Sequence, residues 1–152
     1  MPVALTAACL LAAASSYGLP AKPLEAILRV EGGWVGLAKP NTDRIRSEDL
    51  GPFQVNTQWL PTFTIYWRQP DQHATYRLLR DDGCANAMAA AAILRYHWAR
   101  TGNLSTAVAH YHTGPGGSPE AMRRYLDKVR RSMAMSRNYE RKRRDAPMEI
   151  ER

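Results

Sequence analysis

Residues 84–100 are rich in alanine, and Cys84, Met88, Ala91, Leu94 and Trp98 recur there at helical spacing until Gly102-Asn103 ends the run. Alanine favours a helix, and its small side chain lets neighbouring elements approach closely. The same period returns in three other places. Leu10, Leu11 and Ala14 share one helical face ahead of Gly18 and Pro20, and Leu24, Ile27 and Leu28 do so behind Pro23, a residue suited to a first helical position. Met122, Tyr125, Leu126, Val129 and Met133 form the clearest stripe, opened by Ser118-Pro119-Glu120 with its N-cap, first-turn proline and first-turn acid. Shorter helices are expected over residues 73–80 and from a Ser105 cap to Tyr111. Residues 38–52 read as a loop, residues 57–72 as irregular structure, and Phe53-Gln54-Val55-Asn56 alone alternates as a short strand does. The fold class is therefore mainly α, with little β.

A chain of 152 residues supports one core. The apolar pattern is lost beyond Ser136, so the expected organisation is one domain over residues 1–136 and a basic, flexible tail over 137–152. The formal charge of +7 sits at that end: residues 121–152 carry 11 Lys and Arg against 5 acids, and the first 120 residues carry 10 against 9. A nearly neutral body argues against a nucleic-acid partner. No apolar run approaches the roughly 18 residues of a membrane-spanning helix. Residues 3–14 are apolar enough for part of a secretory signal, but no basic residue precedes them, so they read as a first helix and no export signal is evident in the chain.

Glu31 continues the Leu24, Ile27, Leu28 stripe at i+7 and stands in the last turn of its helix. An inward carboxyl is desolvated, and the negative end of the helix dipole opposes its charge; both raise its pKa toward what a general acid needs. A helix-end Glu more commonly turns to solvent, so position alone makes Glu31 only a candidate. The four histidines, His73, His97, His110 and His112, have no metal-ligand spacing, and no phosphate loop or serine elbow is present, so neither metal nor cofactor is expected. Glu48 and Asp49 fall in a loop with Asp43, Arg44 and Arg46 that reads as a solvated surface; either is also a conceivable second carboxylate.

Four segments, taken together, resemble one family. Residues 24–33, Leu-Glu-Ala-Ile-Leu-Arg-Val-Glu-Gly-Gly, are similar to the helix-to-glutamate motif of the soluble lytic transglycosylases. Gly51-Pro52-Phe53-Gln54-Val55-Asn56 resembles their Gly-Leu-Met-Gln motif, and Ala109-His110-Tyr111-His112-Thr113-Gly114 their Ala-Tyr-Asn-Ala-Gly motif. Residues 120–129, with Tyr125 inside, resemble the closing helix. The order is right over residues 9–131. Two positions depart from the pattern: Gly32 stands where Ser is usual, and His112 where Asn is.

The resemblance implies a lysozyme-like, goose-type fold and cleavage of the bond between N-acetylmuramic acid and N-acetylglucosamine in peptidoglycan glycan strands. Glu31 would act as the single acid and then base, with a 1,6-anhydro product. Gln54 and the backbone near Phe53 would hold the sugar, with Asn56 and His112 also substrate-binding, and the Tyr111 and Tyr125 hydroxyls would orient the acid or the sugar's acetamido group. The alternatives are a hydrolytic muramidase and a catalytically weak glycan-binding adaptor. Cys9, eight residues before Tyr17-Gly18, and Cys84, in Asp82-Gly83-Cys84-Ala85-Asn86, are similar to the cysteines of a subset associated with type III and type IV secretion, conjugation and pilus machines. That likeness implies a Cys9–Cys84 disulfide, a periplasmic location and machine components as partners of the basic C-terminal region.

Overall fold

The computed structural model describes residues 1–145. Among them are seven α-helices and one small sheet: α1 (Ala7–Ser16), α2 (Ala21–Glu31), β1 (Ala38–Pro40), β2 (Glu48–Leu50), β3 (Val55–Asn56), α3 (Leu60–Tyr66), α4 (Gln72–Asp81), α5 (Gly83–Thr101), α6 (Leu104–Thr113) and α7 (Pro119–Asp145). No helix among the described residues is long and apolar enough to cross a membrane. The mainly helical architecture is the one expected from the apolar spacing.

The alanine-rich run becomes α5, the helix around which the others pack. Ala87, Ala89, Ala90, Ala91, Ile93 and Leu94 are all buried, so the helix is enclosed nearly all round where its side chains are small. Helices α1, α4 and α6 lie against it, and α7 packs on both α2 and α6. The Asp82 carboxylate caps α5, accepting from the Cys84 and Ala85 N–H groups at 2.9 Å each. Beside that cap, Val3 pairs with the chain at Asp82, and Cys9 is joined to Cys84 by a disulfide with Cα atoms 5.1 Å apart. The inferred pairing of the two cysteines is thus present.

Several local expectations change. Leu10, Ala13 and Ala14 form the buried face of α1, and Leu11 points outward with 54% of its surface exposed. Helix α2 begins at Ala21, two residues before Pro23. The cap of α6 is Asn103, whose side chain accepts from Thr106 N–H at 3.0 Å, and not Ser105. Residues 57–72 are not irregular: a 3-10 turn over Thr57–Trp59 leads into α3, where Pro61 sits in the first turn and costs no helical hydrogen bond, while Phe63 anchors the helix in the core. Residues 38–52 are not a plain loop either. They supply β1 and β2, which join β3 in an antiparallel sheet of order β1-β2-β3, with Ala38 opposite Leu50 and Leu50 opposite Val55.

The helix α7 also outlasts its apolar stripe. Lys22 reaches Glu140 at 3.5 Å and Arg29 donates to Ser132 at 2.9 Å, tying α2 to α7, and the helix runs on through exposed, arginine-rich sequence to Asp145. Arginine, lysine and glutamate are good helix formers, so the lost periodicity removes the buried face without ending the helix. Residues 137–145 of the segment expected as a basic, flexible tail continue the helix; its remainder, 146–152, lies outside the described residues.

Candidate active site

Glu31 is the last residue of α2, which stops because Gly32 takes the left-handed conformation at φ 63°. The apolar face that buries Leu24 and Ile27 carries the Glu31 carboxyl inward, leaving its side chain 13% exposed. Oε1 accepts a hydrogen bond of 2.7 Å from the Tyr125 hydroxyl on α7. Its pKa is raised from 4.5 to about 7. Burial is the main cause and the nearby Asp49 charge adds to it, against the opposing pull of the Tyr125 hydrogen bond, Lys39 and Lys128.

The turn between β2 and β3 is built onto this helix end. Gly33 N–H donates to Pro52 O at 3.2 Å, and a side chain at Gly33 would strike the Gly51 carbonyl and come within 2.8 Å of Gln54 Nε2. Gly51, at φ 68°, has no room for a Cβ either, because the Asn86 amide and the Leu79 carbonyl lie 2.6 Å from its place. Asn86, wholly buried in α5, accepts from Phe53 N–H and donates to the Leu50 and Leu79 carbonyls, all at 2.8 Å. Every hydrogen-bonding group of the buried amide that can reach backbone is used. Gln54 is held at φ 51° with its Nε2 on Gly51 O at 2.8 Å, a strained position stabilised by its surroundings.

A cleft of about 670 Å³ opens in front of Glu31. Of the residues singled out from sequence, Glu31, Gln54, Asn56, Tyr111 and His112 line it. Tyr125 stands behind the acid, its ring stacked on that of His112 with centroids 4.5 Å apart and planes 4° from parallel. His112 Nδ1 is 3.8 Å from Glu31 Oε1, and burial together with Lys128 holds its pKa below 6.5, which favours a neutral ring. The Tyr111 hydroxyl donates to Phe53 O at 2.8 Å; burial and the Glu31 and Asp49 charges keep that phenol protonated.

Phe53 departs from the expected sugar contact. Its side chain is fully buried, and its N–H and carbonyl are already engaged by Asn86 and Tyr111, so it anchors the turn and does not line the cleft. Asn56 faces the cleft with its amide spent partly inside the protein, donating to Asp49 Oδ1 at 2.8 Å and Ser47 Oγ at 3.0 Å.

Sequence reasoning passed over several groups here. Asp49 is in the cleft wall on β2 and not in a solvated loop, whereas Glu48 is turned toward Tyr76. Trp59, His97 and His110 line the cleft as well. Among the described residues no three His, Cys, Asp or Glu side chains converge as metal ligands do.

Residues 8–133 match the transglycosylase SLT domain family. The chain belongs to this family. Its members are peptidoglycan lytic transglycosylases, lyases acting on a polysaccharide, with a lysozyme-like and mainly helical fold, and this chain is an enzyme of that class acting on peptidoglycan. No curated protein matches it. The four segments that resembled the family in sequence all fall inside the matched span; residues of the first three line one cleft, and Tyr125 of the fourth is bonded to Glu31.

Proposed function

We propose that this lytic transglycosylase cuts the bond between N-acetylmuramic acid and N-acetylglucosamine with Glu31 as its only catalytic carboxyl. The observation that carries the reading is a carboxyl with a pKa of about 7, buried at a cleft wall and held by the Tyr125 hydroxyl. Protonated Glu31 gives its proton to the glycosidic oxygen as the bond to C1 breaks, and the sugar's own acetamido group shields the charge that develops there. The carboxylate then takes the proton of the C6 hydroxyl, whose oxygen closes on C1. A 1,6-anhydro end forms, Glu31 is protonated again and no water is consumed. Gln54, Asn56 and Tyr111 hold the sugar, while Tyr125 and His112 orient the acid.

Asp49 gives a second reading its footing. As a carboxylate in the same cleft it is placed to serve as a base for water, which makes an inverting muramidase with reducing ends. Its oxygen already bonded to Asn56, and the family's chemistry, favour the first reading. The disulfide suits an oxidising compartment, so the proposed site of action is the periplasm. The cysteine pattern and the basic α7 suit local wall opening for a secretion or pilus machine, with α7 as the side that meets its components.

Digestion of purified peptidoglycan by the protein and by Glu31→Gln, with mass analysis of the muramic-acid ends, separates the readings. Anhydro ends lost in the variant are expected. Reducing ends would identify the hydrolase, and binding without products the adaptor.

A further inference from the structure

Glu31, Asp49 and Lys39 line the cleft. In its wall, too, His97 of α5 and His110 of α6 meet with ring centroids 5.7 Å apart and planes at 80°, and Trp59 stands over His97 at 6.2 Å, also edge to face. His97 is 6% exposed, yet it and His110 both line the cleft. No buried side-chain nitrogen among the described residues lacks a partner, and neither ring is bonded to another described side chain, so the ring nitrogens are left to the cleft.

Burial, and after it the neighbouring His110 and Arg100, favour the neutral form of His97. Tyr96 and Trp59 complete its surroundings with uncharged rings, and the Arg100 guanidinium lies over the Tyr96 ring at 5.5 Å. Two imidazoles that can donate hydrogen bonds and take up protons make this part of the cleft wall attractive to an anion.

The peptides carried on the muramic-acid residues of a glycan strand end in free carboxylates. We propose that His97 and His110 form a subsite for a carboxylate of the peptide borne by the glycan strand, so that the enzyme reads the peptide as well as the sugars. The proposal rests on peptidoglycan being the substrate. It does not depend on whether the product is anhydro or hydrolytic. Trp59 supplies an apolar wall beside the anion, and the imidazole N–H groups donate to it.

An anion bound here counters the effect of burial on His97 and draws a proton onto the ring. Affinity for peptide-bearing strands therefore rises as the pH falls.

The test measures binding with the Glu31→Gln protein, so that no strand is cut, using soluble glycan strands with their peptides and the same strands with the peptide carboxylates converted to methyl amides, since stripping by an amidase would leave a lactyl carboxylate on each muramic acid. Strands with free peptide carboxylates are expected to bind on the order of tenfold more tightly near pH 5.5, the scale of one hydrogen bond to a charged group, with the gap narrowing toward about pH 8. His110→Gln, at a half-buried position, is expected to bring the two affinities together. His97→Gln should do the same, with its fold checked by circular dichroism. Equal binding of the two strands by Glu31→Gln overturns the proposal, as does an unchanged preference in His110→Gln. Product analysis that fails to find anhydro ends would leave the binding result standing and count against the catalytic reading alone.

Discussion

The Tyr125 hydroxyl donates to Glu31 Oε1 at 2.7 Å across 94 residues of chain, joining the closing helix to the end of the second. The bond fixes the carboxyl in the cleft wall, and because it favours the anion it restrains the rise that burial imposes on the pKa. A general acid must be protonated to work. The rate of cleavage is therefore expected to be high below about pH 7 and to fall above it, with Glu31→Gln inactive at every pH; an initial-rate profile on soluble strands checks both.

The same shift makes a prediction about stability. A carboxyl whose folded pKa of about 7 exceeds its ordinary 4.5 contributes most below 4.5, and that contribution is lost as the pH rises through 7. Glu31→Gln keeps an acceptor for Tyr125 and never ionises. It is expected to match the parent near pH 4 and to be more stable near pH 8, by on the order of 2 kcal/mol, in denaturant titrations at both pH values.

Tyr125→Phe removes the donor and leaves the ring stacked on His112. Without that hydrogen bond the anion is less favoured, so the alkaline limb of the rate profile should move to higher pH, and the maximal rate should fall because the carboxyl is no longer held. A role confined to packing would lower the rate at all pH values without moving the limb.

Much of this was legible in the sequence, for definable reasons. The stripes of α2, α5 and α7 are long enough for a 3.6-residue period to show, and they set Glu31 and Tyr125 on buried faces. The resemblance then supplied Gln54, Tyr111 and the cysteine pair. The sheet was not legible, because strands of two or three residues are too short to display alternation. With it went the placement of Asp49, which depends on pairing to β3. Pro61 hid α3, since a proline reads as a breaker unless the helix is known to begin just before it. His97 was weighed only as a metal ligand; that it meets His110 and Trp59 depends on how α5 and α6 pack.

Asn86 belongs with the unread residues, although it stood in the quoted run behind Cys84. Its amide brings together Leu50 of β2, Phe53 of the turn that follows and Leu79 of α4. Asn86→Asp keeps the acceptor for Phe53 N–H but cannot donate to two carbonyls, and it adds a buried charge. A loss of about 3 kcal/mol or more is expected, with Gln54 displaced from the cleft wall; thermal unfolding and the KM for soluble strands measure the two effects.

The disulfide closes a loop with a sequence separation of 75, for which chain entropy gives about 4 kcal/mol. Cys9→Ser with Cys84→Ser should lower the Tm by roughly 10 °C in a domain of this size. Neither cysteine lines the cleft, so at 25 °C the folded variant should cut strands at the parent rate. A large loss of rate with the fold intact would mean that the α5 cap near Cys84 controls Asn86 more tightly than the packing suggests.

Asp49 and Tyr125 pull Glu31 in opposite directions, and this makes Asp49→Asn the sharpest discriminator of mechanism. The Asp49 charge raises the Glu31 pKa, so its removal should shift the alkaline limb to lower pH, opposite to the shift in Tyr125→Phe. If Glu31 alone does the chemistry, the variant keeps producing anhydro ends and loses rate mainly where Glu31 has become ionised. If Asp49 instead activates water, the variant loses activity across the whole pH range, and the parent yields reducing ends. Asparagine conserves the shape beside Asn56, and its Oδ1 can accept from the Asn56 amide as the carboxylate now does. Measuring the pH profile and the chemical nature of the ends on the same variant therefore distinguishes an electrostatic neighbour of the acid from a second catalytic group.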